Sequence, residues 1–156
     1  MTALVIGGNG YLGSHVARRL VEDGQEVRVM VRAGANTIGI DDLDVTRFVG
    51  DIWDDEILHE AMVGCDVVYY CVVDTRGWLK DPAPLFRTNV EGTRNVLEVA
   101  CRPDVAESLE RFVFTSSYAT VGRKRGRVAT EDDVIVDRGL TSYVRSRVQA
   151  ENLVME

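Results

Sequence analysis

The chain has 156 residues, an ordinary length for one domain, and 46% of them are hydrophobic, which suits a packed core and excludes a disordered chain. The formal net charge of −7 leaves no general excess of cations to displace counterions, so nucleic acid and anionic membrane are not expected partners. No apolar run approaches membrane-spanning length, and Met1 leads straight into a strand pattern, so neither a spanning helix nor a signal peptide is expected.

Apolar runs and amphipathic stretches alternate from the start. Thr2 to Ile6 reads as a buried strand, followed by a glycine-rich turn. Tyr11 to Asp23 has helical spacing through Leu12, Val16, Ala17 and Leu20, and Gly24 ends it. Val27 to Val31 is a second strand, Ala33 to Asp42 a loop, Val45 to Val49 a third strand, and Asp54 to Met62 a short helix. Asp66 to Val73, rich in Val and Tyr, is the clearest strand. Asp81-Pro82 offers a cap and a first-turn proline for a helix that starts there or at Leu85 and runs to Cys101. Arg111 to Ser116 is a fifth strand, and Lys124 to Gly139 is polar and loop-like. Ser142 to Met155 is a final helix with Tyr143, Ser146, Arg147 and Ala150 near one face. This alternation predicts an α/β fold, a Rossmann-type doubly wound parallel sheet forming one domain over residues 1–156.

The turn Gly7-Gly8-Asn9-Gly10-Tyr11-Leu12-Gly13 joins the first strand to the first helix. Glycine is needed there for the tight turn, for close approach of backbone to a pyrophosphate and for close helix–strand packing. The helix start adds N–H donors and a positive partial charge. Gly7, Gly10 and Gly13 fit one glycine spacing, and Gly8, Gly10 and Gly13 fit another, so spacing alone does not choose a subclass. Both predict dinucleotide binding. A site for NAD places an acid at the end of the second strand for the ribose 2′-hydroxyl. Here Val31 is followed by Arg32, whose fork of donors suits a 2′-phosphate, so NADP is expected ahead of NAD. Arg28 is expected to face away.

Five stretches then appear in order: the loop Gly7–Gly13; Gly50-Asp51; Asn89-Val90-Glu91-Gly92-Thr93; Phe112-Val113-Phe114-Thr115-Ser116-Ser117; and Tyr143 with a basic residue four positions on. Together they resemble the extended short-chain dehydrogenases, the NAD-dependent epimerase and dehydratase family, and most closely its dihydroflavonol reductase-like and 3β-hydroxysteroid dehydrogenase-like members. The resemblance implies roles. Asp51, with Ile52, corresponds to the acid on the adenine amino group, against a solvated turn aspartate. Cys71 and Val72 lie along the cofactor. Asn89 stands near the active site, against a plain helix cap. Ser117 bonds the substrate carbonyl, with Ser116 as a neighbour expected to be buried against the strand. Tyr143 is the general acid or base, and Asn89, Tyr143 and Arg147 also count among the cofactor-binding residues. A positioned hydroxyl stabilises charge on a carbonyl oxygen, and a phenol with a nearby cation supplies the proton.

Two features depart from the resemblance. The family has Tyr-x-x-x-Lys, whereas this chain has Tyr143-Val144-Arg145-Ser146-Arg147. Arg147 keeps the charge but not the compact ammonium, which predicts impaired or redirected catalysis with cofactor binding less affected. Relatives also continue beyond this helix into a smaller substrate lobe, so the chain is expected to be a natural truncation, a fragment, or a form completed by another chain.

The leading expectation is an NADP-dependent oxidoreductase acting on a small carbonyl or secondary alcohol. A nucleotide-sugar epimerase or dehydratase, a non-catalytic NADP-binding sensor or subunit, and a remnant without ligand remain as alternatives. The resemblance also implies a homodimer through the helices 85–101 and 142–155. Cys65, Cys71 and Cys101 lack metal spacing; Cys65 and Cys71 read as buried, reduced thiols of a cytoplasmic protein. His15, His59 and the acids Asp41, Asp42, Asp44 and Asp54 to Glu56 read as surface, packing or helix-start residues, not metal ligands. The cluster Arg123, Lys124, Arg125 and Arg127 reads as a solvated loop, with contact to a cofactor phosphate or an acidic substrate as the alternative, and Trp78 as a packing residue, with a place at the border of a substrate as the alternative.

Overall fold

The computed structural model describes residues 1–122, 125–136 and 139–156. It divides into two compact units, Met1–Val72 with Asn95–Thr115, and Val73–Arg94 with Ser116–Glu156.

The first unit is a five-stranded parallel sheet of β1 (Thr2–Ile6), β2 (Glu26–Val31), β3 (Thr46–Val49), β4 (Val67–Tyr70) and β5 (Arg111–Phe114) in the order β3-β2-β1-β4-β5. β1 is central, with Leu4 opposite Arg28 on one side and Val68 on the other. Its unbroken apolar run is explained by burial on both faces. Ala3 and Val5 join Val27, Val29 and Val31 under α1 (Tyr11–Glu22), whose Ala17 and Leu20 complete that core. Leu4 and Ile6 join Met30, Val68 and Tyr70 on the opposite face, against Leu58, Ala61 and Met62 of α2 (Asp55–Met62) and Val96, Val99 and Ala100 of α4 (Gly92–Ala100). The Asp54 carboxylate accepts the Ile57 N–H at the start of α2, with Asp55 and Glu56 in its first turn, as a helix-start reading requires. Arg28 donates to the Ala61 and Val63 carbonyls at its other end, at 3.0 and 2.8 Å.

Several boundaries differ from expectation. β4 ends at Tyr70, not Val73, and β5 at Phe114, not Ser116, because ladder pairing stops where β1 gives way to its turn. A one-turn helix, α5 (Pro103–Ala106), opens on a proline and adds an element that the sequence pattern does not predict. Among the described residues no helix is long and apolar enough to cross a membrane.

The second unit holds α3 (Ala83–Phe86), a π turn (Arg87–Glu91), the first residues of α4, a 3-10 turn (Tyr118–Thr120) and α6 (Ser142–Met155). Asp81 Oδ1 accepts the Ala83 N–H at the start of α3. The helix expected as one uniform element up to Cys101 is therefore interrupted by a wider turn. That turn alters the backbone bonding around Asn89, and the Thr93 hydroxyl donates to the Asn89 carbonyl at 2.8 Å.

Candidate functional site

In the first unit the glycine turn leaves β1 at its carboxyl end. Gly7 has φ +81, a conformation that favours glycine. A Cβ on Gly13 would stand 2.2 Å from the Gly7 carbonyl oxygen and 3.0 Å from Gly8 Cα, and one on Gly8 would stand 2.9 Å from Val29 Cβ. These glycines let α1 start directly above the sheet. Gly10 is the N-cap and provides no side-chain cap, and the first turn holds no acid. The first amides of a helix have no intrahelical acceptor, so those of Tyr11, Leu12 and Gly13 face outward as donors. Backbone donors, a positive helix end and space that a Cβ would fill form a cradle that fits a pyrophosphate. Asn9 ties the cradle to the next loop through a 3.3 Å bond to the Asn36 carbonyl.

Arg32 follows β2 and is exposed; among the described residues it has no ion-pair partner. Asp51 is half-buried and Ile52 buried. The Ile52 carbonyl accepts from Asn95 Nδ2 at 2.8 Å, so Asn95 fixes the turn that carries Asp51. Cys71 and Val72 lie just beyond β4, with Val72 Cγ2 3.1 Å from where a Gly7 Cβ would be. Cys65 is buried as expected, but Cys71 is only half-buried. Burial pushes the Cys71 thiol up, against a smaller opposite effect of Thr115.

In the second unit, Thr141 caps α6 by accepting the Val144 N–H at 3.3 Å, which sets Tyr143 in the first turn. Arg147 lies one turn on and is 1% exposed. Ser146, between them, donates to the Tyr143 carbonyl at 2.8 Å and accepts from Asn89 Nδ2 at 3.0 Å. Asn89 does not cap a helix. It lies fully buried in the π turn, where Oδ1 accepts the Asp74 N–H at 2.7 Å and Nδ2 also donates to the Asp74 carbonyl at 2.9 Å. Ser117 Oγ accepts the Ala119 N–H at 3.2 Å. Among the described residues neither Ser117 nor Tyr143 donates its hydroxyl proton to another group. Ser116 corrects the expectation of burial: it is exposed and donates to the Glu151 carboxylate, because the strand ends before it.

Asp74, missed in the sequence, is buried beside Arg76, which donates to it through Nε at 3.0 Å and Nη2 at 2.6 Å. The Arg76 hydrogen bonds hold the Asp74 carboxyl below its usual range. A lowered folded value makes the ionised carboxylate stabilising above pH of about 3.8, the ordinary value, and that contribution fades as pH falls through the folded value. Urea unfolding followed across pH 2–6 should show this loss, and Asp74→Asn should remove that part of the acid dependence. Gly77 is the available signal for this segment: a Cβ there would lie 3.1 Å from Tyr143 Cβ. Of the basic cluster, Arg123 and Lys124 fall outside the described residues, Arg125 is exposed, and Arg127 pairs with the buried Asp133.

The family model described as NAD dependent epimerase/dehydratase family matches residues 3–156. The chain belongs to this family. It is 36% identical over 149 residues to a putative dihydroflavonol 4-reductase of Synechocystis sp., covering 94% of this chain and 42% of that protein. It is 33% identical over 126 residues to a UDP-glucose 4-epimerase of Halalkalibacterium halodurans, covering 78% of this chain and 36% of that one. A solved short-chain dehydrogenase/reductase superfamily protein from Agrobacterium tumefaciens, with bound NAD, superposes with a TM-score of 0.77 at 28% identity, over 99% of this chain and 44% of that chain. The chain thus spans less than half the length of these epimerase/dehydratase-family relatives, which include both reductases and epimerases.

Proposed function

We infer that the chain binds NADP through the Gly7–Gly13 turn and serves as a reductase or dehydrogenase of a carbonyl or secondary alcohol. The observation that carries this reading is the uncapped start of α1 over a turn in which Gly8 and Gly13 have no room for a side chain. The amides of Tyr11, Leu12 and Gly13 would hold the pyrophosphate, Arg32 the 2′-phosphate, and Asp51, with Ile52, the adenine end; Cys71 and Val72 would run along the nucleotide. When bound, the nicotinamide gives or takes a hydride.

Ser117 donates a hydrogen bond from its hydroxyl to the carbonyl oxygen and stabilises the charge that develops there. Tyr143 donates the proton that completes the alcohol, and takes it back in the reverse direction. Arg147, one helical turn further along α6, keeps a positive charge on the helix that carries Tyr143. Asn89 acts as a positioning residue, since its amide links the Asp74 backbone to Ser146 and so to the Tyr143 turn. Tyr143→Phe should lower turnover on a ketone panel by about 10²–10⁴-fold and leave the NADPH dissociation constant unchanged. Unchanged turnover would remove Tyr143 from the chemistry.

Arg32→Ala should reduce the preference for NADPH over NADH by about tenfold, measured by fluorescence titration, the scale of one arginine–phosphate pair. Equal loss for both nucleotides would point away from 2′-phosphate recognition. A second reading, an NADP-binding sensor or subunit without turnover, is favoured by Arg147 in the place of the family's lysine. Saturable NADPH binding without turnover on any ketone would select it. We also propose a homodimer through the helices 85–101 and 142–155, to be tested by sedimentation at micromolar concentration.

A further inference from the structure

The consecutive serines of the second unit are held in different ways. Ser116 donates its hydroxyl to the Glu151 carboxylate of α6. Ser117 has extended backbone angles, φ −148 and ψ 139, so its side chain leaves the backbone on the side opposite to that of Ser116. The Ser117 hydroxyl oxygen accepts the Ala119 N–H at 3.2 Å. Its carbonyl accepts the Thr120 N–H at 3.0 Å and the Thr120 hydroxyl at 2.7 Å. The 3-10 turn thus fixes Ser117 locally, and the Ser116 side chain anchors that turn to α6.

On α6 this anchor shares a face with the proposed acid or base. Glu151 follows Tyr143 by about two helical turns, with Arg147 midway, so the three lie along one side of the helix. The start of the helix is held as well. Thr141 caps its first turn, and Ser146 joins the Tyr143 carbonyl to the buried Asn89. α6 therefore acts as a bar that carries Tyr143 near its fixed end and the Ser116 anchor further along. A hydrogen bond to a carboxylate is roughly twice as strong as a neutral one, which suits a joint between two elements. Carbonyl reduction needs such a joint, because a hydrogen-bond donor and a proton donor must meet at one oxygen. A misplacement of about 1 Å can cost about 10²-fold in rate.

We propose that Glu151 is a positioning residue for the reaction: by holding Ser116 it sets Ser117 against Tyr143, so that both hydroxyls reach the same carbonyl oxygen. This rests on the reading of Ser117 and Tyr143 as the reactive pair. The test is steady-state kinetics of the full chain with NADPH on acetophenone, cyclohexanone and ethyl acetoacetate. Glu151→Ala should lower kcat by about 10- to 100-fold and leave the KM for NADPH within about twofold. Ser116→Ala, the smaller change, should lose as much. The double variant should lose no more than either single one, because all three remove one bond. Glu151→Gln should recover most of the rate, since its amide oxygen still accepts the Ser116 hydrogen. Unchanged kcat in Glu151→Ala and Ser116→Ala would overturn the proposal and leave the reactive pair in place. So would losses that multiply in the double variant, no recovery in Glu151→Gln, or a fall in kcat matched by an equal rise in the KM for NADPH. A parent chain that binds NADPH yet reduces none of the three ketones would overturn the reading of the pair itself, and the positioning role would fall with it.

Discussion

Gly13→Ala should abolish measurable NADPH binding, with an affinity loss of at least about 100-fold, and should destabilise the fold by about 2–4 kcal/mol. The added methyl would meet the Gly7 carbonyl oxygen at 2.2 Å and the Gly7 carbonyl carbon at 2.9 Å, both backbone atoms with no flexible end to swing aside. Relief requires α1 to lift from β1, which opens the core around Ala17 and Leu20 and moves the first-turn amides together. Gly10→Ala separates the two effects. Its Cβ would meet only the Gly7 carbonyl oxygen, at 3.3 Å, and Gly10 is exposed. Stability should change by less than about 1 kcal/mol, while a methyl facing the pyrophosphate should weaken NADPH by about tenfold. Equal NADPH affinity in the original chain and both variants would show that the turn serves the fold alone.

Arg147→Lys should raise the rate of hydride transfer by about tenfold or more, with NADPH affinity changed by less than about threefold. The guanidinium is planar and wide, and 1% exposure leaves it no room to move aside. An ammonium on a similar stem fits within the same envelope and concentrates its charge on one atom. Its charge can therefore approach a reacting group more closely. Stopped-flow measurement of NADPH oxidation across a ketone panel reads the step itself. If the lysine variant gains nothing, the arginine is not what limits the chemistry. The loss of Arg147 packing should cost some stability, so melting curves belong beside the rates.

The legible parts of the chain were those in which one residue type serves one physical need. β1 could be read because a strand buried on both faces must be apolar throughout, and the turn after it because only glycine tolerates the approach of α1. Tyr143, Ser146, Arg147 and Ala150 were placed on one face by helical spacing, and the structure buries Ser146, Arg147 and Ala150 there. The π turn at Arg87–Glu91 left no such mark: one widened turn barely shifts the apolar period, so Asn89 read equally well as a cap. Its partners, Asp74 and Ser146, lie 15 and 57 residues away, and no local pattern connects them. Ser116 and Trp78 were misplaced for a related reason. A strand's end depends on where its neighbour stops pairing, and an aromatic residue after a glycine looks the same packed or displayed. The Asp74–Arg76 pair was missed because short-range acid–base pairs are common in solvated loops, and only burial distinguishes this one.

A crystal grown with NADPH tests the central claim most directly. The account predicts the pyrophosphate against the amides of Tyr11, Leu12 and Gly13, with the 2′-phosphate within bonding distance of Arg32. A nucleotide bound elsewhere, or a turn closed by the protein's own side chains under saturating NADPH, would contradict it.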